Sequence, residues 1–286
     1  MGLAEQGTDA ASSRFDAVES PLADEQAGET HPARLSIAAV QQAQLLPIDR
    51  PDRLSSFLYF YNRAPLSAQR LAAWEHDADL RSLLNPTNAG SIGKLLNAQW
   101  RAAPTRNETI WRIWSLRGEA GRRMRYKLYL SPAPAMTAAA IIAAIEVLTD
   151  ARTPHFKYAA NVAALTRPDK FVAYFDRFDQ LERTASLLRV RLAGTAAQGV
   201  PFSASFDHEG LLSWGLDPLD DQPIAGSGAA SWRLQIAIRL AEALIDARRQ
   251  SEAGEPAWRF ALDRLLREGI DTQTWTPLQG FDERRR

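Results

Sequence analysis

The chain has 286 residues, of which 45% are hydrophobic and 24% are charged, a balance typical of a soluble globular protein. Its 34 basic and 34 acidic residues give no formal net charge, which argues against nucleic acid as a partner, since such proteins carry an excess of positive charge. There is no cysteine, so disulfides, thiolate nucleophiles and cysteine-ligated metal sites are excluded.

The first residues, "MGLAEQGTDAASSRFDAVES", have no basic start followed by an apolar run, which predicts that there is no signal peptide. The most apolar stretch, "MTAAAIIAAIEVL", is too short to span a bilayer. We therefore expect a cytoplasmic protein with no membrane partner. The many alanines and arginines indicate a GC-rich, bacterial genome.

The N-terminal part is predicted to be helical after a short tail. Residues 1–33 are small, polar and without periodicity, which predicts a disordered tail. Residues 34–108 are predicted to form a helical region, because apolar residues recur every three or four positions in "RLSIAAVQQAQLL" and "LSAQRLAAWEHDADLRSLL". Asn85 and Pro86 interrupt this pattern.

From residue 109 the apolar period changes to two. "ETIWRIWSLRG" and "RRMRYKLYLSP" predict two strands joined as a hairpin, and "HFKYA" and "KFVAYF" predict two more before Asp176. Helices are predicted between and after these strands. Residues 109–286 are therefore predicted to be an α+β domain, with a mixed, mainly antiparallel central sheet and flanking helices.

The stretch "GVPFSASFDHEGLLSWGLDP", residues 199–218, has no clean period and predicts an irregular lip. Aromatic side chains in and after it, Trp214 and Trp232, are suited to gripping a peptide in a groove beside the sheet. The four histidines lack the spacing of metal ligands, and no phosphate loop or nucleophile elbow is present. We expect no metal and no cofactor.

Six cationic or phenolic side chains fall on the predicted strands or close to them: Arg125, Lys127, Tyr129, Lys157, Arg167 and Tyr174. The first three alternate along one strand and so share a face. Arginine offers a planar fork for phosphate or carboxylate, and a desolvated lysine can act as a base. The pattern predicts an anion site; a solvated cationic edge of the sheet is the alternative.

The order of Lys-x-aromatic on one strand, "FK" on another and then an Arg and a Tyr resembles the phosphothreonine-lyase-like domains. These occur in type III secreted effectors and in lyase-like proteins of ribosomally made, modified peptide pathways. The run "VPFSASFDHEGLLSWGLDP" followed by "SWR" resembles later segments of the effector branch. The likeness spans about residues 122–250.

Such lyases remove phosphate from phosphoserine or phosphothreonine by β-elimination. The resemblance implies that Lys157 is the base, that Lys127 and Arg167 hold phosphate, and that Tyr174 is a further contact. Additional substrate contacts are expected from residues near these and in the lip: Arg125, Phe202, His208, Trp214, Trp232 and Arg233.

The sequence departs from the family at the proton donor. The family's first-strand histidine is replaced by Tyr129, a weaker acid near neutral pH. His155 is two residues from Lys157, shares its strand face and is the alternative acid. The family's Phe-Gly after the later serine is replaced by Trp232 and Arg233.

These features leave three hypotheses for function. The first is an enzyme of natural-product maturation that binds a precursor peptide and promotes side-chain elimination or cyclisation by proton abstraction. The second is a catalytically silent protein that presents the precursor to partner maturation enzymes. The third is a type III secreted effector. A strand edge that binds peptide can also pair with a strand of another protein chain. We therefore expect that a homodimer or heterodimer could form through the same edge and compete with peptide binding.

Overall fold

The structure is a computed structural model that describes residues 30–87, 90–103, 110–118, 124–216, 231–249 and 256–278. The helices in these ranges are α1 (His31–Ala43), α2 (Pro51–Tyr59), α3 (Ala68–His76), α4 (Ala78–Leu84), α5 (Ser91–Gln99), α6 (Thr137–Asp150), α7 (Val162–Leu165), α8 (Phe178–Arg191), α9 (Trp232–Arg249) and α10 (Ala257–Arg267). The strands are β1 (Trp100–Ala103), β2 (Trp111–Leu116), β3 (Tyr126–Leu130), β4 (His155–Ala159), β5 (Phe171–Phe175), β6 (Ala204–Ser205) and β7 (Leu212–Leu216). No helix among the described residues combines the length and apolar character needed to cross a membrane.

The seven strands form one sheet in the order β1-β2-β4-β5-β3-β7-β6, and every neighbouring pair is antiparallel. The prediction of an α+β fold with a mainly antiparallel sheet is therefore confirmed. The predicted hairpin of β2 with β3 is wrong, because β4 and β5 lie between these strands. Alternation identifies a strand and its buried face, but it does not specify which other strand will pair with it.

The sheet is also larger than predicted. It begins at Trp100 rather than near residue 109, and it extends beyond residue 176 through β6 and β7. These last two strands belong to the segment that was predicted to be an irregular lip. The Asp207 carboxylate accepts hydrogen bonds from the backbone N–H groups of Leu211 and Leu212, at 3.0 and 2.8 Å, and so closes their connecting turn. Part of the lip, β6 and β7, thus belongs to the sheet.

The described residues include parts of the predicted tail and of the predicted helical region. Helix α1 begins at His31, so residues 31–33 are helical, and the rest of the predicted tail lies outside the described residues except Thr30. Residue 108 also lies outside them, but β1 precedes it and belongs to the sheet. Helices α1 and α2 pack with α9 and α10 from the far end of the chain, which joins the two ends of the sequence in one layer.

One face of the sheet is apolar and packs on α6 and α8. Phe156 is central to this core, with the rings of Trp100 and Phe171 at centroid distances of 4.5 and 5.6 Å. All three side chains are almost fully buried. Burial of a large apolar side chain contributes roughly 1.5–3 kcal/mol to stability. The alanine-rich helix α6 fits here because its small residues are buried on most sides.

A second apolar core lies between α1, α2, α9 and α10. Phe202 and Trp275 complete it, with ring centroids 5.1 Å apart. Contacts of α9 with β7, and of α1 with β6, hold this helical layer against the sheet. Between the second core and the sheet lie the polar side chains that form the candidate site.

Candidate functional site

Two rows of side chains cross the second face of the sheet, because antiparallel register places residues of successive strands side by side. The first row contains Ser115, His155, Tyr174, Lys127 and Gly215. The second row contains Ile113, Lys157, Val172, Tyr129 and Ser213. Five of the residues selected from the sequence therefore lie on one face: Lys127, Tyr129, His155, Lys157 and Tyr174.

The Tyr174 ring lies between two lysines from different strands. Lys127 Nζ is 5.5 Å from the ring centroid, and Lys157 Nζ is 5.8 Å from it. Lys157 Nζ is also 4.2 Å from the Trp111 centroid. An aromatic ring at these distances attracts an ammonium group through its negative face. The rings thus hold two like charges near each other on one side of the sheet.

Next to the lysines, the buried carboxylate of Asp169 joins two arginines. Arg167 donates to it from Nε and Nη2, at 2.8 and 2.9 Å. Arg233 Nη1 lies 3.1 Å from Asp169 Oδ2. The Tyr59 hydroxyl donates to the same oxygen at 3.2 Å. One carboxylate thus holds side chains from α2, from the start of α9 and from the loop before β5.

The positive charges around Asp169 keep it ionised. Burial by itself would raise the pKa of Asp169, but the charges of Arg233 and Arg167 and the Arg167 hydrogen bond hold that pKa well below its usual range. The charge of Lys157 acts in the same direction, so Lys157 and Asp169 lie within electrostatic reach. Burial, and then the Asp169 charge, raise the pKa of Tyr59, which keeps its hydroxyl protonated as a donor.

Arg233 is 1% exposed and connects α9 to both the sheet and α2. Its Nε donates to the Pro201 carbonyl at 2.8 Å, and its Nη2 donates to the Tyr59 carbonyl at 3.0 Å. Its guanidinium lies 5.9 Å from the centroid of the Tyr129 ring. Arg233 is therefore a buried structural link beside Tyr129, the candidate acid.

Tyr129 is 3% exposed and packs over Gly215 on the next strand. A Cβ atom at Gly215 would lie 3.6 Å from the Tyr129 hydroxyl and 3.4 Å from the Trp232 ring. These are ordinary van der Waals distances, so both aromatic groups lie in direct contact with the Gly215 position. Trp232 is held in turn by a hydrogen bond from Nε1 to the Trp275 carbonyl, at 3.1 Å.

The remaining residues selected from the sequence differ in position. His155 lies in the first row, and its Nδ1 is 2.8 Å from Ser115 Oγ. Arg125 precedes β3 and places its guanidinium 5.8 Å from the Tyr126 ring.

Three residues of the lip lie away from this face. Phe202 is fully buried in the second core, and Trp214 packs on the opposite face against Phe178, at a centroid distance of 4.8 Å. His208 is exposed at the β6–β7 turn, and its carbonyl accepts a hydrogen bond from the His31 backbone. The structure therefore does not bring these three together with the lysines.

Sequence reasoning missed Asp169 and Tyr59. A signal was present in "RPDK", residues 167–170, where three charged residues stand directly before a buried strand. Charges in such a place are rarely buried unless they are paired. Tyr59 had no comparable signal, because its helix is far away in the sequence.

Lys170 is fully buried, and its Nζ donates to the Pro132 carbonyl at 2.7 Å and to Gln198 Oε1. Burial lowers the pKa of Lys170 from 10.5 to about 7, although the nearby Asp169 charge opposes this. The folded protein therefore binds fewer protons than the unfolded chain between pH 7 and 10.5. We expect the free energy of unfolding to rise across pH 7–9.5 by on the order of 1 kcal/mol per pH unit.

Chemical denaturation at several pH values measures this dependence. Lys170→Met should be less stable than the native chain, but its free energy of unfolding should not show the rise with pH that Lys170 causes. Lys94→Met, at an exposed position of α5, should retain it. If the free energy of unfolding rose equally with pH in the native protein and in Lys170→Met, Lys170 would not be the group that titrates.

The fold and these rows of side chains define an α+β protein with a cationic cluster on one face of an antiparallel sheet. Solved structures similar to it include effector proteins and phosphothreonine lyases. No protein-family model and no curated protein matches the sequence.

An effector protein from Pseudomonas syringae pv. tomato is 14% identical, with a TM-score of 0.49, over 89% of this chain and 99% of that one. An effector protein from Pseudomonas syringae pv. syringae is 13% identical, with a TM-score of 0.46, over 86% and 98% of the respective chains. A phosphothreonine lyase, an effector protein from Salmonella, is 13% identical, with a TM-score of 0.38, over 83% and 99%.

Proposed function

We propose that this protein binds a peptide through a phosphorylated serine or threonine and eliminates the phosphate by removing the Cα proton. The observation that carries this function is the placement of Lys127 and Lys157 on either side of Tyr174, on one face of the sheet. The ammonium group of Lys127 would bind a compact dianion such as phosphate, and Lys157 on the neighbouring side would then stand beside the bound group. The sequence resemblance suggests that the peptide is the precursor of a modified natural product.

The base and the acid are assigned from their places in the second row. Lys157 and Tyr129 stand on either side of Val172, so their Cα atoms are about two strand spacings, or roughly 10 Å, apart. Both side chains are long and the valine between them is short. A phosphoester above Val172 would meet Lys157 on one side and Tyr129 on the other.

The proposed reaction is a β-elimination. The neutral amine of Lys157 takes the Cα proton, the Cα–Cβ double bond forms, and the Cβ–O bond breaks with its electron pair leaving on phosphate. The Tyr129 hydroxyl donates a proton to that leaving oxygen. Trp111 beside Lys157 favours the ammonium group that proton abstraction produces.

A specific observation also supports a binding protein without catalysis. The proton donor of the family is replaced by a buried tyrosine, and a tyrosine with an ordinary pKa near 10 is a weak acid at neutral pH. In this second function the same cationic face would hold a precursor peptide for partner maturation enzymes. The two functions share the anion site and differ only in turnover.

The test uses one peptide in two forms, with serine and with phosphoserine, followed by calorimetry and by mass. We expect binding only of the phosphorylated form, then loss of phosphoric acid from it. Tyr129→Phe should slow this loss by about 10²–10⁴-fold if Tyr129 is the acid, whereas His155→Ala should have that effect if His155 is. Tight binding with no mass change would leave the binding protein, and no preference for phosphoserine would contradict both functions.

A further inference from the structure

The carboxylate of Asp169 is 5% exposed and is surrounded by positive charge. The charge of Asp169 interacts with the side chains of four basic residues, namely Arg167, Arg233, Lys157 and Lys170. Arg167 and Lys157 both lie near the Trp111 ring, at 5.0 and 4.2 Å from its centroid. Asp169 is thus part of the electrostatic environment of the proposed phosphate site.

Asp169 accepts hydrogen bonds from the same edge of the Arg167 guanidinium group that would donate to a bound phosphate. Its two oxygens accept from Arg167 Nε and Nη2, a two-bond geometry in which arginine also binds phosphate. Arg233 Nη1 is 3.1 Å from the same carboxylate, but without the alignment of a hydrogen bond. A buried arginine donor therefore points at an anion that does not fully satisfy it.

We propose that Asp169 is a positioning residue that serves as a built-in counter-anion for the cationic site. It holds Arg167 and Arg233 beside the lysines, and its negative charge limits how tightly the site retains phosphate. This inference rests on the proposed function and adds a step to it: the phosphate released by elimination has to leave before another peptide binds. A cationic site with no internal anion would retain that product.

Asp169→Asn tests this role, because the amide keeps the size of the carboxylate and removes its charge. An opposite charge nearby shifts the binding of a proton by one to three pKa units, or about 10–1000-fold. We expect Asp169→Asn to bind inorganic phosphate at least about tenfold more tightly than the native chain, as measured by titration calorimetry. Structural damage alone would not produce tighter binding.

Asp207→Asn is the matched control. Asp207 is also a largely buried carboxylate, but it accepts hydrogen bonds from backbone N–H groups in the β6–β7 turn and lies outside the arginine cluster. We expect Asp207→Asn to lower stability without tightening phosphate binding. Phosphate affinity thus distinguishes the loss of Asp169 from the loss of another buried carboxylate.

Loss of Asp169 also leaves two arginine charges without their partner, so the variant is measured by thermal unfolding as well. Phosphate should raise its unfolding temperature more than it raises that of the native chain, relative to chloride at equal ionic strength. Tighter phosphate binding by the variant supports the counter-anion role even where the native chain binds phosphate weakly. If the native chain binds phosphate and Asp169→Asn binds it no more tightly, the counter-anion role is overturned and the proposed function is not. If neither protein binds phosphate, both the counter-anion role and the proposed function are overturned.

Discussion

Replacement of Lys157 by alanine should reduce elimination of phosphate from a phosphoserine peptide by about 10²–10⁴-fold, the usual contribution of a general base. Lys157 lies in the second cross-strand row, beside the short side chain of Val172, and its amine has a route to the Cα proton of a peptide placed there. No other lysine of the chain has this position, since Lys127 lies two strands away and Lys170 is bound to buried oxygens.

The measurement is a time course of peptide mass at saturating peptide, with binding measured separately. The Lys157→Ala protein should still bind the phosphopeptide, although more weakly, because Lys127 remains. Lys94→Ala serves as the matched control, since Lys94 is exposed on α5 and away from the sheet face. An elimination rate that survives in Lys157→Ala would show that another group is the base.

Replacement of Arg233 by alanine should lower the free energy of unfolding by about 3–5 kcal/mol, the cost of breaking a buried ion pair. Arg233 is buried, and its loss would leave the carbonyls of Pro201 and Tyr59 without a donor. It would also leave Asp169 with fewer compensating charges. The helical layer of α1, α2, α9 and α10 would lose its polar link to the sheet.

Chemical denaturation monitored by tryptophan fluorescence measures this loss. Arg249→Ala is a suitable comparison, because Arg249 is the exposed last residue of the same helix. We expect it to change stability by no more than about 0.5 kcal/mol. If Arg233→Ala changed the free energy of unfolding by less than about 1 kcal/mol, Arg233 would not be an important link between α9, α2 and the sheet.

Loss of Arg233 should act on the site as well as on the fold. Its guanidinium lies beside both Asp169 and the Tyr129 ring. A folded Arg233→Ala protein should therefore bind phosphate more weakly than the native chain. This is the opposite of the effect expected for Asp169→Asn, so the pair reports the sign of the charge that each residue contributes.

The strands of the central sheet were predictable because local alternation determines which residues of a strand are buried. Trp111 and Trp114 are three residues apart, so a period of two places them on opposite faces: Trp111 lies beside Lys157, and Trp114 lies in the first core. The shared face of Lys127 and Tyr129 follows in the same way from a period of two. These inferences need only one segment at a time.

The order of the strands was not predictable in this way. The short, glycine-flanked interval between β2 and β3 favoured a hairpin, but these strands pair with β4 and β5 instead. Similarly, the lip looked irregular because β6 has only two residues and β7 contains Gly215. Pairing depends on contacts between distant segments, and periodicity within a segment carries no information about them.

The sequence by itself determined the α+β class, the absence of cysteine chemistry, and the shared face of Lys127 and Tyr129 on their strand. Only the tertiary structure decided that Tyr174 stands between Lys127 and Lys157, and that Asp169 holds Arg167 and Arg233. Only the tertiary structure, too, placed Trp214 on the opposite face. The physical reason is that a side chain's face is set by its own strand, whereas its neighbours and its charge environment are set by register and packing between strands and helices far apart in the chain.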